Sequence, residues 1–84
     1  MKTYCYLLEC ADGSFYCGWT LDPARRLMEH QSGKASRYTR SRLPVKLIYC
    51  EQFRSRSQAM RREKEIKQLT HGQKQNLVTG NLDD

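Results

Sequence analysis

The stretch YCYLLECADGSFYCG, residues 4–18, alternates like two short strands around Asp12-Gly13. Asp-Gly between alternating runs is a strong hairpin signal, because the mirror-image turn wants positive φ at both central residues. Strand side chains alternate faces. Tyr4, Tyr6 and Leu8 therefore fall on one side of the first strand, with Cys5, Leu7 and Glu9 on the other. On the second strand Tyr16 shares a face with Gly18, while Phe15 and Cys17 point away. Two tyrosines can thus meet on one face of the hairpin, beside a glycine that lets a ligand approach the backbone. Taken alone, the stretch also suits an ordinary aromatic pair in a small sheet.

The flanking sequence supplies the rest of the fold. Asp22 can cap a helix that Pro23 opens, running to Gln31 or Ser32 and stopped by Gly33. Arg26 and His30, four apart, project from one face of it, and Arg25 and Glu29 form a surface pair on the next row. Residues 34–42, KASRYTRSR, read as an irregular loop that serves as a binding surface. A third strand enters through Pro44, with Val45, Leu47, Tyr49, Glu51 and Phe53 alternating against Lys46, Ile48, Cys50 and Gln52. Apolar residues on both sides imply that both faces of the sheet are at least partly covered. Ser55 and Gln58 form a capping box for a second helix near 56–69, whose apolar members are Ala59, Met60, Ile66 and Leu69. Glu63 falls on that stripe, whereas Glu65 lies about 200° away on the solvated side. A carboxylate on an apolar stripe is costly unless it is paired or binds a metal, so Glu63 is either half of an ion pair with a nearby arginine or a ligand. A second capping box, Thr70 to Gln73, starts a helix over 71–78 whose Leu77 and Val78 dock back onto the domain, before a frayed tail, GNLDD. The expected fold is α+β: a three-stranded, mainly antiparallel sheet flanked by about three helices, in the order β-β-α-β-α-α.

Eighty-four residues with 38% hydrophobic content suit one domain over 1–84, with a core from about residue 3 to 78. No apolar run is long enough to span a membrane and no secretory signal opens the chain, so the cytoplasm is the expected location. Cys5, Cys10, Cys17 and Cys50 lack paired zinc spacing, and the three that lie in expected strands read as small buried hydrophobes. The net charge of +6 is concentrated: residues 34–67 hold eleven cations against three anions, while both flanking segments are slightly acidic. That excess is an electrostatic footprint for a polyanion, although arginine and lysine also decorate solvated helices. The footprint is centred on Lys34, Arg37, Arg40, Arg42 and Lys46, with Arg54 and Arg56 in support and Tyr38 either stacking on a base or packing under the loop.

With these residues in view, the chain resembles the GIY-YIG nuclease domain, in particular its small stand-alone YhbQ-like members. The resemblance covers about residues 3–78. Tyr4-Cys5-Tyr6 and Tyr16-Cys17-Gly18 resemble the two naming motifs, with Tyr4 in place of a glycine and Cys17 in place of an isoleucine. DPARRLMEH is similar to the family's arginine-bearing helix, and RREKEIKQL to its metal-binding helix. The late Tyr-Asn of larger members has no clear counterpart. The resemblance implies hydrolysis of DNA phosphodiester bonds using one Mg²⁺ or Mn²⁺ held by Glu63. It casts Tyr6 as the general base or water-orienting group, Tyr16 as a positioner of water or phosphate, and Arg26 as the phosphate partner. It leaves His30 to bind phosphate or relay a proton, against the alternative of an ordinary surface histidine. DNA is expected ahead of RNA, with repair or recombination as the setting and structure rather than sequence as the target, or with specificity supplied by a protein partner. A monomer or weak dimer is expected. The competing expectation is a non-catalytic nucleic-acid-binding module with the same fold.

Overall fold

The computed structural model describes residues 2–80. The chain forms β1 (Thr3–Glu9), β2 (Phe15–Thr20), α1 (Pro23–Gln31), α2 (Arg37–Arg40), β3 (Lys46–Phe53), α3 (Arg56–Lys67) and α4 (His71–Thr79). The strands make one antiparallel sheet in the order β2-β1-β3. This is the expected α+β architecture with one added element, the four-residue α2. The expected fraying of the tail falls on residues 81–84, outside the described residues. Gly80, its first residue, closes α4 at a left-handed φ of 73°. No described helix is long and apolar enough to cross a membrane.

The hairpin forms, but not with the mirror-image turn. Gly13 N–H donates to the Cys10 carbonyl at 2.9 Å, and Cys10 N–H donates to the Ser14 carbonyl at 2.8 Å. Gly13 has φ 85°, and among the described residues every positive φ belongs to a glycine. The connection is thus a three-residue loop, an ordinary turn followed by a left-handed glycine. Asp12 stays in the common region because its carboxylate accepts from Ser14 N and Oγ, at 3.0 and 2.6 Å.

The register then fixes both faces. Tyr6 opposes Gly18 and Leu8 opposes Tyr16, while Leu7 opposes Cys17 on the other side. One face packs Tyr6, Leu8, Cys10 and Val45 with Tyr16, Leu27 and Leu47. The opposite face packs Cys5, Leu7 and Cys17 under Ile66 of α3, with Leu77 and Val78 of α4 docked beside them as expected. Cys5 and Cys17 are free thiols whose sulfurs lie 3.8 Å apart in that second cluster.

Three local expectations are corrected. β3 does not alternate evenly, because Leu7 pairs with Tyr49 and Leu8 with Leu47, leaving Ile48 as a bulge. Val45 and Leu47 therefore serve the Tyr6 face, whereas Tyr49, Glu51 and Phe53 serve the α3 face. In α3 the Ser55 side chain accepts from Gln58 N at 3.2 Å, but Gln58 Oε1 accepts from Arg54 N rather than Ser55 N, so the box does not close on itself. Ala59 and Ile66 are buried while Met60 is exposed. The third correction concerns residues 34–42, read as an irregular loop. Ser36 accepts from Thr39 N at 3.1 Å and nucleates α2, burying Thr39 completely. By contrast α1 starts as expected, on Asp22, which accepts from Arg25 N at 3.1 Å.

Candidate active site

The Tyr6 face carries the polar network. Tyr6 comes from the central strand, Tyr16 from edge strand β2, and Arg26 and His30 from successive turns of α1. Tyr6 Oη and His30 Nε2 are 2.9 Å apart, and His30 Nδ1 lies 2.8 Å from Thr39 Oγ1. The Tyr16 ring meets the His30 ring edge-on with centroids 5.1 Å apart. His30 is fully buried in this cluster, which rules out the surface-histidine alternative.

Gly18 shapes the pocket for Tyr6. A Cβ on Gly18 would sit 2.6 Å from Tyr6 Oη and 2.7 Å from Tyr6 Cζ. The space a side chain would take is filled by the protein's own phenol, not held open for a ligand as the sequence implied. Burial pushes the Tyr6 phenol up to about 12, overriding the opposite pull of the neighbouring Arg26 guanidinium. Tyr6 is therefore a neutral phenol near pH 7 and a proton donor to its surroundings.

Burial also pushes His30 below its ordinary value, assisted by Arg26 and opposed by Glu29. The imidazole is therefore neutral near pH 7 and has one bare nitrogen. Because its pKa is lowered on folding, the unfolded chain takes up a proton below about pH 6.5 that the folded chain refuses. Stability is then complete above that pH and declines as pH falls toward the folded-state pKa of His30. The thermal midpoint of His30→Gln should fall less steeply than wild type as pH is lowered through this window. Parallel curves would mean that the acid sensitivity arises elsewhere.

Arg26 is half-exposed. It donates through Nη1 to Glu29 Oε1 at 2.9 Å, and its buried Nε has no partner among the described residues. Glu29 also receives Arg25 at 3.5 Å, the expected surface pair. Glu63 stands apart from this network. α3 lies across the opposite face, where the Glu63 carbonyl accepts from Cys17 Sγ at 3.9 Å. The Glu63 carboxylate, about 20% exposed, pairs with Lys67 at 3.1 Å rather than with an arginine. Glu65 is more exposed and pairs with Arg62 at 3.2 Å.

Among the described residues no three His, Cys, Asp or Glu side chains converge on one point. Mg²⁺, however, is commonly held by one or two carboxylates and otherwise by water and phosphate. A single partly exposed carboxylate, countered among the described residues by one flexible ammonium, fits an ion of that kind.

The basic segment divides in two. Lys34, Arg37 and Arg40 are exposed and make no ion pair among the described residues. Arg42 is engaged locally. It donates to Asp12 Oδ2 and to the Tyr38 carbonyl, each at 3.0 Å, and its guanidinium lies 3.8 Å above the Tyr38 ring. Tyr38 is also stacked toward Tyr16, with centroids 6.0 Å apart. The Tyr38 ring is exposed, with Arg42 over one face. Lys46 is exposed, 3.8 Å from Glu9. Sequence reasoning missed Thr39 and Ser36, and the one available signal was a Ser-x-x-Thr spacing able to cap a helical turn.

Comparison with known proteins adds a family frame. The profile of the GIY-YIG catalytic domain matches residues 2–76. The chain is 50% identical over 82 residues to a UPF0213 protein of Streptococcus pneumoniae, covering 98% of this chain and 83% of that one. It is 51% identical over 72 residues to a UPF0213 protein of Halobacterium salinarum, covering 86% and 94%. The solution structure of the UPF0213 protein from Bacillus halodurans superposes with a TM-score of 0.60 at 47% identity, over 94% of this chain and 84% of that one. An E. faecalis protein structure gives 0.63 at 46% identity, over 100% and 91%.

Proposed function

The chain belongs to the GIY-YIG catalytic domain family, a nuclease family, and from that premise we propose that it is a divalent-metal-dependent endonuclease acting on DNA. The observation that carries this reading is the buried pair of a neutral phenol and a neutral imidazole beside a half-exposed guanidinium. A phenol with a pKa near 12 cannot take a proton from water at neutral pH unless its own proton has somewhere to go. His30 Nε2, 2.9 Å away, is that acceptor. Tyr6 passes its proton to His30 while accepting one from the attacking water. Arg26 offers its planar fork to the phosphate, and Tyr16 orients the water or phosphate. Glu63 would hold one Mg²⁺ or Mn²⁺, which would supply Lewis-acid polarisation of the phosphodiester.

Lys34, Arg37 and Arg40 supply the electrostatic grip, with Lys46 at the margin and Arg42 and Tyr38 shaping the surface. So small a surface favours recognition of branches, ends or flaps over base sequence, or specificity borrowed from a protein partner. The reading implies a cytoplasmic protein, monomeric or weakly dimeric, serving DNA repair or recombination. The test is nicking of branched and single-stranded DNA with Mg²⁺ or Mn²⁺, alongside binding across a salt series. Affinity should fall with a slope of about −0.7 to −0.9 per phosphate contact. Neutralising Arg37 and Arg40 together should flatten that slope by about 1.5 with the fold intact. An unchanged slope would move the footprint elsewhere. The separation of Glu63 from the tyrosines favours a second reading, a nucleic-acid-binding module without catalysis. Salt-dependent binding with no cleavage under any metal would establish it.

A further inference from the structure

The hydrogen-bond chain of the site continues past His30. Thr39 Oγ1, fully buried, lies 2.8 Å from His30 Nδ1 and 2.9 Å from Ser36 Oγ, and its weaker contact to the Ser36 carbonyl is 3.5 Å. Ser36 Oγ already accepts from Thr39 N at 3.1 Å. We propose that Thr39, backed by Ser36, is the positioning residue that fixes the tautomer of His30, keeping the proton on Nδ1 and leaving Nε2 bare toward Tyr6. The inference deepens the nuclease reading and rests on it for its catalytic meaning, but the tautomer itself is independent of catalysis.

Counting donors and acceptors around Tyr6 leads to this assignment. The Tyr6 hydroxyl is almost wholly buried and carries its proton, so it requires an acceptor. Of its two polar neighbours, the Arg26 guanidinium can only donate, and His30 Nε2 is the group able to accept. Tyr6 therefore favours a bare Nε2 with the imidazole proton on Nδ1, and Thr39 Oγ1 is the acceptor that makes this tautomer tenable in a buried site. That N–H points at Thr39 Oγ1, whose own proton is directed to Ser36. The reverse arrangement fails locally. If Thr39 donated to Nδ1, the Nε2 proton would aim at the Tyr6 oxygen, and the phenol proton would be stranded. The other neighbours do not alter the count: Tyr16 meets the imidazole through its ring, and Glu29 is turned to Arg25 and Arg26. When His30 takes the proton from Tyr6, Nδ1 keeps its bond to Thr39, so the ring need not turn during transfer.

Thr39 is a neutral partner that orients the ring. An exposed histidine in water prefers the proton on Nε2, so the opposite tautomer is a distinctive signature. The experiment is ¹⁵N NMR of the His30 ring in the full chain, without metal or DNA, at pH 7.5. Wild type and Thr39→Ser should show a protonated Nδ1 and a bare Nε2, whereas Thr39→Val should shift toward the Nε2-protonated form. Where cleavage is measured, Thr39→Val should lower kcat at least tenfold with KM little changed, and Thr39→Ser should restore most of it. An Nε2-protonated ring in wild type overturns the assignment, and so does a Thr39→Val ring that keeps the wild-type tautomer. Should Thr39→Val not fold, the wild-type spectrum alone decides. Absence of cleavage in every form would count against the nuclease reading and leave the tautomer result standing.

Discussion

Glu63→Ala is expected to abolish Mg²⁺- or Mn²⁺-dependent nicking, a loss on the order of 100-fold or more, while metal-free DNA binding survives. The carboxylate is the oxygen ligand proposed for the ion, and the phosphate grip lies elsewhere, on Lys34, Arg37 and Arg40. Removing a negative charge near the phosphate should leave binding equal or tighter. Stability provides the second readout. The Glu63–Lys67 pair sits on one helix with the lysine more than half exposed, and pairs of that kind contribute at most about 1 kcal/mol. The metal-free variant should therefore unfold close to wild type. A loss of several kcal/mol would instead mark Glu63 as half of a structural ion pair. Glu65→Ala is the matched control, because it removes an exposed carboxylate paired only with Arg62 among the described residues. It should leave nicking and binding unchanged. Nicking that persists in Glu63→Ala would detach the metal from α3 and send the search for its ligand elsewhere.

The residues differ in how openly the sequence declares them. The faces of Tyr6, Tyr16 and Gly18 followed from strand alternation, because a hairpin with a short turn transmits its period across the pair. The shared face of Arg26 and His30 followed from helical spacing, with Asp22 and Pro23 marking where the count begins. The bulge at Ile48 was not legible, since a bulge is a property of two paired strands and β3 alone looks evenly alternating. Nor was α2, because four residues are too few to show a period. Its evidence is one serine placed to cap Thr39. Glu63 was visible as a carboxylate on an apolar stripe, yet its partner was not, because Lys67 reaches back along the same helix from a solvated position. Composition located the basic segment but could not separate Arg42, bound to Asp12 and lying over Tyr38, from the exposed Arg37 and Arg40. Local rules thus recovered the elements, while contacts between elements decided what each side chain does.

Gly18→Ala tests the most demanding of those contacts. The added methyl would meet Tyr6 Oη at 2.6 Å and Cζ at 2.7 Å, closer than carbon atoms approach without displacement. The φ of Gly18 is not left-handed, so the substitution carries no backbone strain and its whole effect is steric. Tyr6 cannot retreat easily, since its ring is buried and its hydroxyl is anchored to His30. The expected result is a displaced phenol, a broken Tyr6–His30 bond and a loss of nicking of about 100-fold. Overpacking of this kind costs roughly 1–3 kcal/mol of stability, visible as a lowered thermal midpoint with unchanged secondary structure. DNA binding and its salt slope should persist, because the exposed cations are untouched. Gly13→Ala separates this from generic destabilisation. Gly13 is left-handed with open space around it, so alanine there costs about 1–2 kcal/mol through the backbone alone and should spare nicking. If Gly18→Ala were as active as wild type while Gly13→Ala lost stability as expected, the placement of the Tyr6 hydroxyl would not be what the reaction depends on, and the role of base would pass to another group.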